Sequence, residues 1–370
     1  MSKSYKGYMV LLVTLLSCIA LMCGCRVSST DDNGEDNETD GNSTLKVVTT
    51  LYASYDFVRE IAGDNVELTM LLKPGEESHS YEPTPKDIIT IQECDLFIYN
   101  GGENDTWVDQ VLESVNGVKF LKMMDCVSEL REEQIVDGMY ERGHGDHHGH
   151  GGEDGDNGHD GHGHDGHRHD GHGHDGHGDE THEEENHEEE MHEEAEYDEH
   201  IWTSPVNAIS IAEAIAGELG TLDPGNSDTY RNNCKRYVSE LKELDDSFRQ
   251  IVKNAKRNLV IFGDRFPLMY FVGEYGIDYY AAFPGCSAET EPSVATMTFL
   301  IDKVNENNIP VVFKTELSND NIARIISEET GAGVRTFYAC HNVSADDFRR
   351  GFSYIDMMRE NAVVLKEALD

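Results

Sequence analysis

Three histidines stand apart from the other histidines of this 370-residue chain. Fifteen of the 18 histidines lie between His144 and His192, whereas His79, His200 and His341 lie elsewhere, each in a predicted loop. Imidazole is a common ligand of zinc, which takes about four nitrogen, sulfur or oxygen donors in proteins. The three isolated histidines therefore predict a metal site, provided that the fold brings their loops together.

A fourth donor is needed to complete such a site. Asp264 ends an apolar stretch in "NLVIFGD", and Glu316 follows another in "FKTELS", so we expect Asp264 as the fourth ligand and Glu316 as its alternative. Three imidazoles and one carboxylate favour zinc over manganese, which prefers more oxygen donors. Nickel and manganese stay open as alternatives.

The remaining histidines form a low-complexity insert. Residues 159–178 repeat the phrase His-Asp-Gly-His four times, without any apolar residue that could fix a binding geometry. Such a segment binds metal loosely and at many sites. We expect it to be a disordered accessory that collects zinc near the main site, through His159, His162, His164, His167, His169, His172, His174 and His177. The alternative is a storage protein in which this insert is the main sink.

Composition narrows the function further. The formal net charge is −43, and much of the acidity lies between residues 144 and 200, so it belongs to the insert and not to the folded body. A strongly acidic chain is unsuited to nucleic acid, which needs a basic face. A zinc hydrolase would need an open metal position and a general base. A closed site with four protein ligands argues against an enzyme.

The first 25 residues resemble an export signal. Lys3 and Lys6 precede an uncharged apolar run that ends at Gly24-Cys25, which is typical of a cleaved lipoprotein signal with lipid on Cys25. An uncleaved anchor is the alternative. Residues 26–43 are polar and acidic and predict a disordered tether. Both alternatives place the rest of the chain outside the cytoplasm, on the outer face of the cell membrane.

Short β-branched strands alternate with helical patterns in the rest of the chain, which predicts parallel sheets covered by helices. The alternation is interrupted by a helical pattern over residues 226–256 without Gly or Pro. We therefore predict an α/β fold of two Rossmann-like lobes, joined by one long rigid helix, with the metal in the cleft between them. The boundaries are 44–204, including the insert at 142–199, then 205–257 for the helical region and 258–370 for the second lobe.

The motifs "KPGEESHSYEPTPKDI", "YNGGENDTWVDQVL", "HIWTSPVNA" and "YFVGEYGIDYYA" together resemble the zinc- and manganese-binding solute-binding proteins of ABC importers. This resemblance covers residues 45–370. It implies a protein that passes Zn²⁺ to a membrane permease driven by a cytoplasmic ATPase; adhesion is an alternative role. We expect the chain to be a monomer. His79 and His200 match the first two ligands of the family. Asp264 is the nearest donor to the third position, and His341, or Asp346 as the lesser candidate, to the fourth.

Five cysteines belong to the mature body. Cys286 and Cys340 both follow predicted strands of the second lobe, and an exported protein can form disulfides. A bond between them would hold the His341 loop in place. The alternative is that the Cys340 thiolate binds the metal.

Overall fold

The computed structural model describes residues 44–77, 81–139, 197–287 and 291–370. Within these ranges strands and helices alternate as the sequence predicts. The first part contains β1 (Leu45–Thr49), α1 (Tyr52–Ala62), β2 (Val66–Met70), α2 (Pro85–Gln92), β3 (Leu96–Tyr99), α3 (Thr106–Ser114) and β4 (Lys119–Lys122). Two helices follow, α4 (Pro205–Leu222) and α5 (Ser227–Asn254). The last part contains β5 (Leu259–Phe266), α6 (Met269–Tyr275), β6 (Asp278–Pro284), α7 (Val294–Asn307), β7 (Val311–Lys314), α8 (Asn321–Thr330), β8 (Gly333–Thr336), α9 (Ala345–Arg350) and α10 (Tyr354–Leu369).

The strands form two parallel sheets of four strands each in the described residues. The first sheet has the order β2-β1-β3-β4, and the second has the order β6-β5-β7-β8. In both sheets the first strand in sequence, β1 or β5, is the second strand in space. The strand order therefore reverses beside that strand, which makes it the topological switch point of the sheet. Ligands of such sheets bind beyond the carboxyl ends of the strands at this point. The predicted fold class is confirmed.

Helix α5 is the long helix that the sequence predicts. Its 28 residues span about 42 Å. Phe57 of α1 packs on Tyr237 with ring centroids 5.9 Å apart, and Phe271 of α6 packs on Phe248 at 4.9 Å. One helix therefore contacts elements of both lobes, and a single cluster of buried apolar residues includes members of both sheets. The predicted boundaries between the lobes stay predictions.

The segment after β4 crosses to the second lobe. The hydroxyl of Tyr270 accepts the N–H of Arg131 at 3.0 Å and donates to the carbonyl of Asp198 at 2.9 Å. Glu132 pairs with Tyr197 as an antiparallel bridge, and the N–H of Asp198 donates to the carbonyl of Arg131 at 2.8 Å. These contacts close the base of the insert, because they join the residues before it to the residues after it.

Several predictions fall outside the described residues: the signal with Cys25, the tether at 26–43, the histidine-rich insert and His79. None of the helices in the described ranges is both long enough and apolar enough to span a bilayer.

The predicted disulfide is wrong in this structure. Cys286 and Cys340 are both free thiols. Cys340 is fully buried, with its backbone in the left-handed region at φ 61°, whereas Cys286 donates its backbone N–H to Glu133 of the crossing segment at 3.0 Å. The two cysteines follow strands of one sheet, but they are fixed by different partners. Burial raises the pKa of the Cys340 thiol far above its ordinary value, which also disfavours a thiolate ligand.

Candidate metal centre

His200 lies at the start of a short 3₁₀ turn, Ile201–Thr203, just before α4, and it is almost completely buried. Oδ1 of Asp198, which is also buried, accepts the backbone N–H of His200 at 2.9 Å and lies 3.1 Å from its Nδ1. A carboxylate that accepts a hydrogen bond from Nδ1–H fixes the tautomer in which Nε2 is free to bind a metal. The pair therefore has the arrangement of a metal-binding histidine held by a carboxylate.

Charge also affects the protonation of His200. Burial alone would lower its pKa, but the charge and hydrogen bond of Asp198, together with the charges of Glu199 and Glu133, outweigh burial, and the net pKa is raised. Asp198 was not among the residues predicted from the sequence. The signal that could have identified it is its position two residues before His200 in "YDEHIW".

His341 follows β8 and lies against His200. Their ring centroids are 4.5 Å apart in an edge-to-face arrangement, and the ring of Trp202 lies 5.2 Å from that of His341. The indole N–H of Trp202 donates to the carbonyl of Ala339 at 2.8 Å, which fixes the loop of His341 beside the turn of His200. The structure therefore brings together two of the three isolated histidines, which lie 141 positions apart in the sequence.

The backbone of the His341 loop is held by Glu316, the alternative ligand. One oxygen of Glu316 accepts the N–H of Ala339 at 2.6 Å, and the other accepts the N–H of His341 at 3.0 Å. The carbonyl of His341 accepts the N–H of Tyr52, the first residue of α1, at 3.1 Å. Burial raises the pKa of Glu316 to about 7. In this arrangement Glu316 shapes the loop that carries His341.

Asp264 lies in β5, and both of its oxygens accept hydrogen bonds. Oδ2 accepts from the backbone N–H of Thr315 at 2.8 Å and from its hydroxyl at 2.7 Å, and Oδ1 accepts from the N–H of Arg265 at 2.8 Å. Asp264, Glu316 and His341 line one cavity of about 180 Å³. Asp264 therefore lies inside β5, whereas the sequence predicts it at the end of a strand, and its lone pairs already accept from donors of its own lobe.

A second, smaller cavity lies between the two histidines and the first lobe. Its volume is about 30 Å³, room for one water-sized particle, and His200, His341, Trp202 and Tyr81 are among its lining residues. His341 borders both cavities. Tyr81 follows His79 by two positions in the sequence, and His79 itself lies outside the described residues. In the ranges that the structure describes, no group of three or more His, Cys, Asp or Glu side chains is arranged to hold a metal.

Asp346, the lesser candidate for the fourth ligand, does not reach the site. It lies in the first turn of α9, its side chain is 78% exposed, and it pairs with Arg349 on the same helix. The residue belongs to a solvent-facing helix that the sequence analysis did not predict. It lines neither of the two cavities that His341 borders.

Two parallel-sheet lobes, a long helix that contacts both, and paired imidazoles at the cleft define the class of the metal-binding solute-binding proteins. The family model described as "Zinc-uptake complex component A periplasmic" matches residues 47–368. The chain belongs to this family, and the predicted resemblance is confirmed. The family consists of transport proteins rather than enzymes.

Individual relatives agree with this assignment. The high-affinity zinc uptake system protein of Bacillus subtilis is 28% identical, over 100% of this chain and 99% of its own length. The zinc-binding lipoprotein AdcA of Streptococcus pneumoniae is 27% identical over 90% of this chain, which spans 58% of that longer protein. The crystal structure of the Zn(II)-bound domain of the same streptococcal protein shares the fold, with a TM-score of 0.64, 24% identity, and coverage of 89% of this chain and 100% of that domain.

The contact between Asp198 and His200 leads to a first prediction. Replacing Asp198 with asparagine preserves the shape of the side chain but removes its charge, and outer-shell partners of metal-binding histidines typically contribute 10- to 100-fold in affinity. We expect the Asp198→Asn variant to bind zinc about 10- to 100-fold more weakly in competition with a chelator. An affinity within about twofold of the wild type would show that Asp198 does not support the ligand.

Asp245 offers a matched control for this change. Its carboxylate accepts from the hydroxyl of Tyr275 at 3.1 Å, and it lies on α5 away from the cleft. The Asp245→Asn variant removes one charge from the same chain and should leave zinc affinity unchanged.

Proposed function

We propose that this protein captures Zn²⁺ outside the cytoplasm and delivers it to the membrane permease of an ABC importer with a cytoplasmic ATPase. The observation that carries the proposal is the contact between the buried ring of His200 and the half-buried ring of His341 at the cleft, with Asp198 behind His200. Membership of the zinc-uptake family and the zinc-related names of the relatives support the same function.

The ligand set that we propose is His79, His200 and His341 with Asp264. The two described imidazoles border the small cavity, and Asp264 lines the larger cavity, which His341 also borders. Zinc accepts this mixture of nitrogen and oxygen donors in a tetrahedral site. To bind zinc, Asp264 would use lone pairs other than those that accept from Thr315 and Arg265, since an ionised carboxylate has about four acceptor positions.

The histidine-rich insert, in this proposal, raises the local concentration of zinc at the cleft. The described residues on both sides of it support that position: Tyr197 pairs with Glu132, and His200 follows three residues later. The insert therefore returns to the body immediately before a proposed ligand. We further propose that the chain is a monomer, anchored by a lipid on Cys25, for which the lipoprotein relative AdcA is a precedent.

Stoichiometry tests the proposed function. We expect a variant without residues 144–192 to keep one tight zinc site and to lose only weak sites, because the contacts between Arg131 and Asp198 close the base of the insert without it. Isothermal titration of the full chain and of the shortened chain, with chelator competition for the tight site, measures both classes of site. The control is a chain of full length with the 15 insert histidines replaced by asparagine.

Loss of the tight site on deletion would overturn this proposal and favour metal storage by the insert. Retention of one tight zinc in both variants would favour transport. A tight site that accepts manganese as strongly as zinc would contradict the choice of metal but not the ligand positions.

A further inference from the structure

Asn342 is a buried amide beside His341 that reaches into the first lobe. Its side chain, 1% exposed, donates to the carbonyl of Lys73 at 2.7 Å and to the carbonyl of Glu76 at 2.9 Å. Its own amide oxygen accepts the N–H of Val343 at 2.8 Å. Both amide hydrogens and the oxygen are therefore used, and the orientation of the amide is determined by its partners.

The two carbonyls belong to a turn that follows β2. Within the turn the N–H of Glu76 donates to the carbonyl of Lys73 at 3.0 Å. Besides Asn342, the second lobe contacts this turn through Arg265, which pairs with Glu77 at 3.0 Å. That pair is partly solvent-exposed, so it contributes little to stability. The buried amide is the stronger of these two links.

We propose that Asn342 is a positioning residue that holds the turn of residues 73–77 against the loop of His341 and thereby slows the release of zinc. The inference rests on the proposed function, in which His79 and His341 are zinc ligands. The turn precedes His79 in the sequence, and Asn342 directly follows His341. A metal bound by both histidines would bridge the same two segments. A protein in which they are already held together loses less conformational freedom on binding, which increases affinity.

Exchange of Asn342 for aspartate tests this inference, because it preserves size but presents an acceptor oxygen to two carbonyl oxygens. We expect zinc to dissociate from the Asn342→Asp variant at least about tenfold faster, while its association rate constant changes less than about threefold. Differences among variants of one binding site usually appear in the dissociation rate. Stopped-flow mixing of the zinc-loaded full chain with excess chelator measures dissociation, and mixing of the free chain with zinc measures association.

Asn361 supplies a matched control. It is fully buried on α10, accepts the N–H of Tyr338 at 2.7 Å and donates to the carbonyl of the same residue at 2.8 Å, so its bonds stay within the second lobe. The Asn361→Asp variant also buries a carboxylate. It should leave the zinc dissociation rate within about threefold of the wild type.

Hydrogen exchange of the metal-free protein separates this inference from the proposed function. Amides of residues 71–77 should exchange at least about tenfold faster in Asn342→Asp than in the wild type or in Asn361→Asp. That result supports the link between the turn and the loop of His341 even if the wild type binds no zinc, in which case the proposed function fails and with it the effect on zinc release. Unchanged exchange at 71–77, or an equal change of zinc dissociation in Asn361→Asp, would overturn the inference. Asn342→Ala, which removes the donors without repulsion, replaces the aspartate variant if that variant does not fold.

Discussion

Replacing His200 with alanine is expected to weaken zinc binding by about a hundred- to a thousandfold. Structural zinc sites gain roughly 10–16 kcal/mol from about four ligands, so one ligand contributes on the order of 3–4 kcal/mol, which corresponds to such a factor. His200 is buried and its Nδ1 faces Asp198, so the ring is already oriented before a metal binds, and alanine removes this oriented donor. Chelator competition with the purified full chain measures the loss.

The same change at His341 should have an effect of the same size, because the two rings border one small cavity. Asp346 is the control: it lies five residues from His341, and its exposed side chain pairs only within α9. Asp346→Ala should therefore retain the affinity of the wild type. If His200→Ala bound zinc within about tenfold of the wild type, the proposed site would be wrong, and a donor set without His200 would be needed.

Thermal unfolding of the metal-free variants shows whether the fold survives these changes. Trp202 packs against both imidazoles and donates to the carbonyl of Ala339, so removal of a ring leaves a cavity beside it. A variant with a lower melting temperature but a normal affinity would assign His200 to packing. A variant with weak binding and an unchanged melting temperature would assign it to the metal.

The sequence was sufficient to predict the fold class because both lobes repeat a local rule. Short apolar strands alternate with helical patterns, and such an alternation has few solutions other than parallel sheets. The histidine positions followed from the same rule, since a residue just after a strand lies at the ligand-binding edge. His341 was located in this way, and its approach to His200 agrees with the prediction.

Contacts between distant segments could not be predicted from the sequence. Both hydrogen bonds to Oδ2 of Asp264 come from Thr315, 51 positions away, so the local sequence does not indicate that this oxygen is engaged. A disulfide between Cys286 and Cys340 is predicted because both residues follow strands of one sheet. In the structure both are free thiols, because the path of each loop after its strand depends on contacts that the sequence does not show. The sequence shows that a residue follows a strand and therefore lies at one edge of the sheet, but it does not show which groups its side chain contacts.

The error at Asp346 was avoidable. The hydroxyl of Ser344 accepts the N–H of Asp347 and caps the N-terminus of α9, which places Asp346 in the first helical turn. Serine three residues before an acidic residue is a local signal for the start of a helix. Acidic residues in a first turn are also favoured by the helix dipole. A helix with this beginning directs Asp346 to solvent, as the structure shows.

Acid should weaken zinc binding steeply, and Asp198 should determine where the decline begins. Zinc binds neutral imidazole, so the measured affinity is proportional to the fraction of His200 that has lost its proton. Burial lowers the pKa of His200, but Asp198, with smaller contributions from Glu199 and Glu133, raises it above its usual value of about 6.5, so the decline starts above that pH as the solution is acidified. Below the pKa of a ligand, the proton that zinc must displace lowers the affinity about tenfold for each pH unit. With three imidazole ligands the loss approaches a thousandfold per pH unit.

The Asp198→Asn variant makes this prediction specific. It removes the charge that raises the pKa of His200, so the acid limb of the affinity profile should move to lower pH, although the affinity at high pH is also lower. Glu316 takes part in the same range, because its pKa is raised to about 7 by burial and protonation removes an acceptor from the loop of His341. Glu316→Gln, which cannot be protonated, is therefore the control that isolates the contribution of His200. Chelator competition from pH 5 to 8 measures all three proteins. If the acid limb of Asp198→Asn coincided with that of the wild type, His200 would not be the group that controls zinc binding in this range.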